Sequence, residues 1–463
     1  MREKYSVAII GGGPAAVFAA YEFSLKYPQL QVIILEEGHS IEKRQCPLLA
    51  KKTDHCLRCK PCDIMRGFGG AGAFSDGKYN FTTEFGGWLN EYLPEQLVEE
   101  LIDYVDELNC RHGAPGEYFT TKNAAIGGKA LGYDLHLLNA KVRHLGTENN
   151  LAIMGNIFNY LQQYVEIRCN THVETIKREG EHFVLPLRGG TSEIEAEYVI
   201  AAPGRAGAEW LTEQCKALGL TYTNNQVDIG VRVELPAQVF KHITDEVYEA
   251  KLVYRTKRYN DLVRTFCMNP YGYVVAENTD GIVTVNGHSY SDVKRHSKNT
   301  NFALLVSNKF TEPFKEPHQY GKRIASLSNM LGGGVLVQRF GDLVMGRRTN
   351  ERRMQKSFVK PTLQATPGDL SLVLPKRQLD DIIEMIYALD KIAPGTANDD
   401  TLLYGVEVKF YSARMQMNTQ LETDIKNLFV CGDGAGITRG LSQASASGVY
   451  VARQIGARAT AAK

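Results

Sequence analysis

Near the start of the chain, the hydrophobic and polar positions follow the patterns expected for a strand, then a helix, then a second strand. The apolar run 6–10 has the length of a buried strand, and residues 14–27 carry an apolar face of helical period with Pro14 in the first turn. A second apolar run, 30–35, also has strand length and ends at Glu36. The pattern predicts a βαβ unit.

A glycine turn joins the first predicted strand to the helix, with the spacing Gly11-x-Gly13-x-x-Ala16. In dinucleotide-binding folds the first glycine permits a tight turn, the second lets the backbone approach a pyrophosphate, and a small third residue lets helix and strand pack closely. Glu36 stands where such folds place the acid that accepts from a ribose hydroxyl, and an acid there disfavours a 2′-phosphate. A βαβ unit without a nucleotide is the alternative.

A cysteine-rich stretch and a glycine-rich stretch follow Glu36. Cys46, Cys56, Cys59 and Cys62 have the spacing C-x9-C-x2-C-x2-C, and residues 67–78 read GFGGAGAFSDGK. So many glycines suit neither a helix nor a strand, so this loop is expected to let the backbone pass close to a flat or anionic group. A flexible surface loop is the alternative.

Apolar runs later in the chain predict further strands of the domain that contains the glycine turn. Short strands are expected at 165–169 and 172–177, followed by a hairpin through 181–187 and 194–196 and by an apolar strand, 198–204, that ends in Ala-Pro-Gly. Near the C-terminus, the apolar run 427–431 ends at Gly432 and Asp433, and a helix of small residues follows. Asp433 can accept from ribityl hydroxyls, and the helix N-terminus can stabilise a reduced, anionic flavin.

The region between these parts differs in kind, because β-branched segments at 229–234, 272–277 and 281–287 predict antiparallel strands with helical inserts. No second G-x-G-x-x-G follows a strand here, as a three-domain pyridine-nucleotide reductase would need. The basic run of Arg347, Arg348, Arg352, Arg353 and Lys356 is interpreted either as a solvated helix face or as the binding surface of an anionic substrate or partner.

Composition sets limits on the function. A chain of 463 residues exceeds what one hydrophobic core usually holds. With 43% hydrophobic residues, 23% charged residues and a formal charge of +1, nothing indicates disorder, a membrane span or a general nucleic-acid surface. The first strand starts within about five residues of Met1, which leaves no room for a signal peptide, so a cytoplasmic location is expected. Nine cysteines then favour reduced thiols or metal ligands over disulfides.

These motifs together resemble a known group of proteins. The turn 11–16 with Glu36, the strand end 202–204 and Cys431-Gly-Asp-Gly434 are similar to FAD-binding proteins of the broad glutathione-reductase-like superfamily. More narrowly, the cysteine run, GFGGAGAFSDGK, Asp228-Ile-Gly-Val-Arg232 and Arg264-Thr-Phe-Cys-Met268 resemble a bacterial and archaeal family of FAD-dependent dehydrogenases. The resemblance implies FAD bound in an extended pose across the first domain. It implies no substrate.

The expected fold class is α/β, with a discontinuous Rossmann-like FAD-binding domain at 1–225 and 401–463 that encloses a β-rich substrate domain at 226–400. The candidate FAD-binding residues are Gly11, Gly13, Pro14, Ala15, Ala16, Glu36, Arg44, Gly69, Gly70, Ser75, Val173, Ala202, Gly204, Gly432, Asp433 and Gly440. No catalytic residue is assigned, although Tyr133, His288, Arg264 and Tyr404 are weighed as acid–base groups against ordinary packing or surface roles.

Three interpretations of the four cysteines remain open. A compact C-x2-C-x2-C core with a remote Cys-Pro is typical of iron–sulfur ligation, which is slightly favoured, and a 4Fe-4S cluster is the form expected. Four thiolates also suit a structural zinc. The third interpretation is a redox-active thiol pair at Cys59 and Cys62, a position similar to that of the disulfide in glutathione-reductase-like flavoproteins.

The function predicted from the sequence is that of an FAD-dependent oxidoreductase acting on an unidentified small molecule. An acidic carrier such as ferredoxin or flavodoxin could deliver electrons, docking on the basic residues near the cysteines: Lys43, Arg44, Lys51, Lys52, Arg58, Lys60 and Arg66. The alternatives are a flavin-based redox sensor or electron-transfer module, and a flavin monooxygenase. No nucleic acid and no membrane span are expected.

Overall fold

The computed structural model describes residues 2–47, 50, 52–53, 57, 59–190, 192–279, 281–290, 293–310, 314 and 316–461. The helices, in chain order, are α1 (Pro14–Lys26), α2 (Glu95–Arg111), α3 (Ala124–Leu131), α4 (Thr147–Leu161), α5 (Ala208–Ala217), α6 (Ala237–Thr244), α7 (Pro317–Gly332), α8 (Phe340–Val344), α9 (Glu351–Lys356), α10 (Lys376–Ile392) and α11 (Leu441–Ala461). None of the helices in these ranges is both long enough and apolar enough to cross a membrane.

The strands, in chain order, are β1 (Arg2–Ile10), β2 (Val32–Leu35), β3 (Lys78–Phe81), β4 (Phe119–Thr120), β5 (Leu135–Leu137), β6 (Lys141–His144), β7 (Glu166–Arg168), β8 (Lys177–Glu179), β9 (His182–Pro186), β10 (Glu193–Ala201), β11 (Tyr222–Thr223), β12 (Val227–Pro236), β13 (Leu252–Arg255), β14 (Leu262–Asn269), β15 (Tyr273–Thr279), β16 (Ile282–His288), β17 (Asn299–Asn308), β18 (Leu336–Arg339), β19 (Thr366–Pro367), β20 (Leu402–Phe410), β21 (Arg414–Met415) and β22 (Leu428–Val430).

The chain forms two compact units. Unit 1 comprises the residues up to 119, residues 141–225 and those from 411 onward, and unit 2 comprises residues 120–140 and 226–410. Unit 2 therefore includes β20, which the sequence analysis placed in the C-terminal part of the FAD domain, because β20 pairs with β12 and β18 in the middle of the unit 2 sheet. The mixed α/β fold class predicted from the sequence is confirmed.

The main sheet of unit 1 has the order β7-β2-β1-β10-β9-β8, and β22 pairs with β10. The pairs β7–β2, β2–β1, β1–β10 and β10–β22 are parallel, and β9 and β8 add an antiparallel extension. β10 is one continuous strand. Its first half pairs with β9 and its second half with β22, which explains why the sequence indicated a hairpin strand followed by a separate parallel strand.

Helix α11 lies directly against helix α1 in unit 1. A Cβ atom built on Gly448 would be 1.9 Å from the carbonyl oxygen of Ala15, and one built on Gly456 would be 2.3 Å from the ring of Tyr27. Small residues are therefore required along this face of α11, because backbone meets backbone with no room for a methyl group. The close contact fixes the N-terminal turn of α1 against the C-terminal helix.

Unit 2 is built on an eight-stranded sheet with the order β19-β18-β20-β12-β17-β14-β13-β5, in which all pairs except β18–β19 are antiparallel. Helices α6, α7 and α10 contribute to its hydrophobic core through residues such as Phe240, Ile324 and Ile386. The strands predicted at 229–234, 272–277 and 281–287 are present as β12, β15 and β16. The predicted β-rich character of this region is observed.

Two local predictions from the sequence were wrong. The glycines at 127, 128 and 132 predict a break in the secondary structure, but the region 127–132 is largely the helix α3, whose N-cap residue Asn123 accepts a hydrogen bond from the amide of Ile126 at 3.0 Å. Burial of Ala130 in the unit 2 core compensates for the low helix propensity of its glycines. The strand predicted at 172–177 is mostly irregular, since Val173 makes only an isolated bridge with Leu187 and β8 starts at Lys177.

Candidate functional site

The glycine turn lies where four parallel strands of unit 1 end together. Ile10 is in register with Leu35 on one side and with Ala201 on the other, and Ala201 is in register with Val430. The residues that follow these ends are therefore brought to the same edge of the sheet: Gly11, Glu36, Ala202 and Cys431. This edge is where open α/β sheets bind their ligands.

Gly11 is required by the local backbone. Its φ is +102°, and a Cβ there would be 2.3 Å from the carbonyl oxygen of Ala202. The amide of Ala202 in turn donates to the carbonyl of Ile10 at 2.9 Å. The first glycine of the motif thus permits the tight turn, as the sequence predicted.

Gly13 differs, because nothing in the protein explains why it is a glycine. Its φ is −76°, and a Cβ built there has no described atom within 4 Å. Within the described ranges, the amides of Gly13, Ala15 and Ala16 also make no hydrogen bond, while Pro14 has no amide hydrogen. Three unpaired amides at a helix N-terminus beside open space form a cradle for an anion such as a pyrophosphate.

Glu36 binds the glycine turn rather than facing open solvent. Its Oε2 accepts from the amide of Gly12 at 2.6 Å, and its Oε1 accepts from the amides of Gly38 and Gly67, each at 2.7 Å. The residue is only 6% exposed. Three of the roughly four acceptor positions of the carboxylate are thus used within the protein, and one is left for a ribose hydroxyl.

Arg44 is also committed mainly to the backbone. Its guanidinium donates to the carbonyl oxygens of Asp63, Ile64 and Phe68 at distances from 2.7 to 3.1 Å, and it lies 4.7 Å from the centre of the Phe74 ring. The residue is 6% exposed, and this burial lowers the pKa of the guanidinium to about 10. Arg44 therefore holds the start of the glycine-rich loop in place.

The glycine-rich loop is ordered against the turn. The amide of Gly69 donates to the carbonyl of Gly12 at 2.7 Å, and a Cβ on Gly70 would be 2.9 Å from the Cα of Gly13. The hydroxyl of Ser75 donates to the carbonyl of Gly72 at 2.6 Å, so this side chain closes its own loop. Gly69 and Gly70 are thus brought beside the anion cradle, whereas the hydroxyl of Ser75 is used internally.

Val173 offers a different kind of contact. The bridge to Leu187 is made by its neighbours, since the amide of Glu174 donates to Pro186 and the carbonyl of His172 accepts from Arg188. In the described part of the chain the amide and carbonyl of Val173 itself make no hydrogen bond. A donor and an acceptor side by side match the edge of an adenine ring.

The Gly432–Gly440 segment forms the other side of the site. Oδ1 of Asp433 accepts from the hydroxyl of Thr438 at 2.8 Å and from the amide of Gly440 at 3.2 Å, and Oδ2 lies 3.6 Å from Nε of Arg205. Gly432 and Gly204 have φ values of +75° and +65°, so both turns need glycine. Asp433 is thus held at the strand end, in the position predicted for it.

A shallow surface cleft of unit 1 lies beside Asp433. Its lining consists of Arg205, Tyr411, Ser412, Asp433, Gly436, Thr438 and Arg439, of which only Asp433 is a candidate residue predicted from the sequence. The guanidinium of Arg439 lies 4.6 Å from the centre of the Tyr411 ring, which in turn packs against Trp88. No sequence motif marks Tyr411, which is far from the glycine turn along the chain.

The predicted metal ligands are not brought together in the described structure. Cys46 and Cys62 are partly buried and Cys59 is exposed, all three as free thiols, while Cys56 lies outside the described residues. Among the residues that the structure does describe, no group of three or more His, Cys, Asp or Glu side chains is arranged to hold a metal ion. Neither iron–sulfur nor zinc ligation is supported.

The two unit 2 motifs of the family resemblance lie on β12 and β14, the two strands that flank β17, and their side chains meet across it. Asp228 on β12 and Arg264 on β14 form an ion pair, and Nη2 of the fully buried Arg232 donates to the carbonyl of Cys267 at 2.7 Å. Arg232 also donates to Oδ1 of Asn301. Cys267, at a bulge with φ of +47°, is thus fixed mainly through its backbone.

The four acid–base candidates differ in their burial and in their bonding partners. Tyr404 is buried and donates to Glu234, and this burial together with the Glu234 carboxylate raises the pKa of the phenol well above its ordinary value. Burial and the nearby Arg295 lower the pKa of His288. Tyr133 is 45% exposed, and Arg264 is paired with Asp228. Tyr404 and Arg264 are therefore both bound to carboxylates of unit 2.

Comparison with known proteins agrees with the division of the chain into unit 1 and unit 2. Residues 226–410 match the family model described as "FAD-dependent protein, C-terminal domain-like", and these are the bounds of the long segment of unit 2. An uncharacterized protein of Clostridium beijerinckii is 27% identical over 468 residues, covering 96% of this chain and 80% of the relative.

Solved flavoprotein structures resemble the chain only distantly. The E. coli quinol fumarate reductase FrdA is 13% identical with a TM-score of 0.43, covering all of this chain and 72% of that one. Glycine oxidase from Geobacillus kaustophilus is 13% identical with a TM-score of 0.36, covering 99% and 94%. The matched family model and the Rossmann-type sheet support an FAD-dependent oxidoreductase.

Proposed function

We propose that this protein is an FAD-dependent oxidoreductase that acts on a small molecule and receives its electrons from a protein carrier. The observation that carries the proposal is the cradle at Gly13, where open space meets unpaired amides at the end of a parallel strand. A glycine that no protein contact requires is explained when a ligand occupies the space beside it. The family match in unit 2 supports FAD as that ligand.

Residues along the edge of the unit 1 sheet would contact successive parts of FAD. The amides of Gly13, Ala15 and Ala16 would hold the pyrophosphate, and the remaining acceptor position of Glu36 would hold a ribose hydroxyl. The free amide and carbonyl of Val173 would pair with adenine. In this arrangement the adenosine half of the dinucleotide would lie beside β2 and β7.

Asp433 and the segment after it would hold the flavin half. Its carboxylate, fixed by Thr438 and Gly440, would accept from a ribityl hydroxyl, and the N-terminus of α11 would favour negative charge. Arg205 and Arg439 line the same cleft and supply further positive charge. When bound, FAD supplies the hydride or electron transfer, and the protein positions it and stabilises charge.

A protein carrier is proposed because the sequence contains no second dinucleotide-binding turn after a strand. Only one G-x-G-x-x-G/A turn follows a strand, so a dedicated nicotinamide domain is not predicted. The test is anaerobic reduction of the FAD-loaded protein by NADH, NADPH and reduced ferredoxin in parallel. Rapid reduction by ferredoxin and slow reduction by both nicotinamides is expected, whereas rapid saturable reduction by NADH or NADPH would contradict the carrier.

The cysteines are tested on the same anaerobic preparation. Stoichiometric iron and sulfide would establish the cluster that the sequence favoured, and stoichiometric zinc would establish a structural site. If neither metal is present, the thiols of Cys59 and Cys62 remain as a redox pair, which a thiol titration before and after anaerobic reduction would detect.

A further inference from the structure

Unit 2 carries a strongly basic surface with exposed apolar side chains, formed by residues 344–360 and here called the 344–360 surface. The segment contains six Lys or Arg residues and one acidic residue, Glu351, a surplus of five positive charges in a chain whose formal net charge is +1. The six are Arg347, Arg348, Arg352, Arg353, Lys356 and Lys360. Positive charge is therefore concentrated here.

Only two of these cations have a carboxylate partner within the described residues. Nε of Arg347 lies 2.7 Å from Oδ1 of the buried Asp342, and Nε of Arg353 lies 3.7 Å from the same atom. Arg348 and Lys360 contact backbone carbonyls instead. Four positive charges are thus available to a partner: those of Arg348, Arg352, Lys356 and Lys360.

Large apolar side chains project from the same surface. Phe358 is 92% exposed and Met345 is 69% exposed. Phe358 cannot turn inward, because its flanking residues Ser357 and Val359 are buried and its own amide donates to Oδ2 of Asp400 at 3.0 Å. An aromatic ring held out on a fixed backbone is typical of an anchor residue at a protein–protein interface.

One ionic cluster joins the two ends of the surface. Arg339 donates to Oδ1 of Asp400 at 2.8 Å and also lies 3.4 Å from Oδ2 of Asp342. Asp400 fixes Phe358, and Asp342 begins the turn that exposes Met345 and binds Arg347. The backbone of Phe358 and the guanidinium of Arg347 are therefore linked, through Asp400 and Asp342, to the same arginine.

The basic residues near the cysteines are only partly available to a carrier. Arg44 is buried and bound to carbonyls, and Arg66 forms an ion pair with Glu37. Lys51 and Arg58 lie outside the described residues. The 344–360 surface combines its unpaired charge with an exposed aromatic ring and an exposed Met side chain, residue types that are enriched at interface cores.

We propose that the 344–360 surface docks an acidic electron-carrier protein, with Phe358 and Met345 as apolar contacts and Arg348, Arg352 and Lys356 as charged contacts. The identity of the partner as an electron carrier rests on the proposed function. Charge complementarity selects an acidic partner, and the predominance of Arg suits paired contacts with carboxylates. The exposed apolar side chains supply area that remains buried at high salt.

Binding of an oxidised plant-type [2Fe–2S] ferredoxin and of an oxidised flavodoxin to the FAD-loaded protein, measured by titration calorimetry, tests the proposal. The charge variant combines Arg348→Glu, Arg352→Glu and Lys356→Glu. The matched control combines Lys216→Glu, Arg323→Glu and Lys391→Glu, which change the net charge equally at exposed positions elsewhere. A third variant is Phe358→Ala.

We expect at least one carrier to bind the wild-type protein, with affinity that falls as salt rises. The charge variant should lose about tenfold or more in affinity, the control about twofold or less, and Phe358→Ala roughly tenfold with an unchanged salt dependence. Equal loss in the charge variant and the control, or no binding of either carrier, would overturn the proposal.

Two further measurements distinguish carrier docking from membrane binding and from failure of the proposed function. Binding of the wild-type protein to phosphatidylglycerol vesicles, lost in the charge variant while neither carrier binds, would overturn the proposal in favour of a membrane surface. FAD content is measured on every preparation. A protein without FAD that still binds the carrier would contradict the proposed function and leave the docking surface intact. An FAD-loaded protein that binds a carrier equally well in the wild type and the charge variant would overturn the docking surface and leave the proposed function intact.

Discussion

The carboxylate of Glu36 accepts a hydrogen bond from the amide of Gly12 at 2.6 Å, inside the glycine turn itself. The same carboxylate also holds the amides of Gly38 and Gly67, so the turn, the end of β2 and the start of the glycine-rich loop are fixed by one side chain. The acid at this position therefore shapes the proposed FAD site and does not only contact the ribose.

Substitution of Glu36 should consequently reduce stability as well as FAD binding. Glu36→Ala leaves three amides without their acceptor, and each buried unsatisfied group costs about 1 to 3 kcal/mol. Thermal unfolding of the FAD-free protein should show a lower Tm for Glu36→Ala and a smaller decrease for Glu36→Gln, which retains one carbonyl oxygen. An unchanged Tm with weakened FAD binding would show that the ribose contact is the main role of this residue.

Gly13→Val should abolish FAD binding without lowering the Tm of the FAD-free protein. The new side chain meets no described protein atom near its Cβ, and the backbone there has an ordinary φ of −76°. It would occupy the space proposed for the pyrophosphate. Gly155→Val is the control, because Gly155 also has open space around its Cβ but lies within α4. Full FAD occupancy in Gly13→Val would refute the cradle.

Gly448→Ala should destabilise unit 1. A Cβ at this position would be 1.9 Å from the carbonyl oxygen of Ala15, so α1 and α11 would have to separate, at a cost of about 1 to 3 kcal/mol in the free energy of unfolding. Denaturant unfolding measures this cost. The control Gly155→Ala should stabilise the protein by up to about 1 kcal/mol, as expected for glycine replaced within a helix. Equal stability of the two variants would contradict the close helix contact.

The stability of unit 2 should depend on the ionisation of Asp381. Burial and the neighbouring Asp261 raise the pKa of Asp381 from 3.8 to about 7, although the nearby hydroxyl of Thr256 and the charge of Arg377 oppose the shift. Between these pKa values the folded protein retains a proton that the unfolded chain has lost, so this group decreases the free energy of unfolding as pH rises through that window.

Asp381→Asn removes this decrease. The variant should gain roughly 1 to 3 kcal/mol relative to wild type between acidic and slightly alkaline pH, measured by urea unfolding. Asp380→Asn is the control of opposite sign: burial raises the pKa of Asp380, but hydrogen bonds from Lys376 and Tyr259 lower it overall. The control should therefore lose stability relative to wild type as pH rises through that carboxyl's range. The same pH trend in both variants would contradict the assignment.

Local patterns allowed much of unit 1 to be predicted from the sequence. The helix predicted at 14–27 is α1 at Pro14–Lys26, and the strand predicted at 30–35 is β2 at Val32–Leu35. Both follow from apolar periodicity and from the special conformations of Gly and Pro, which act over a few residues. The predicted positions of Gly11, Ala202 and Asp433 at strand ends follow from the same patterns.

Long-range relationships could not be predicted in this way. The additional partners of Glu36 include Gly67, which approaches only after the cysteine loop folds back, and β20 is assigned to unit 2 by pairing with β12, far away along the chain. Tyr411 reaches the cleft beside Asp433 for a similar reason. Such contacts depend on the completed fold, whereas the sequence patterns report only local preference.

The flavin content of the purified protein tests the central claim most directly. The protein is purified without added cofactor, and a second sample is incubated with excess FAD or FMN and then freed of unbound flavin. After denaturation, chromatography identifies and quantifies the released flavin. The account predicts close to one noncovalent FAD per chain in at least the incubated sample, with little FMN. A correctly folded protein that neither contains nor takes up FAD would contradict it.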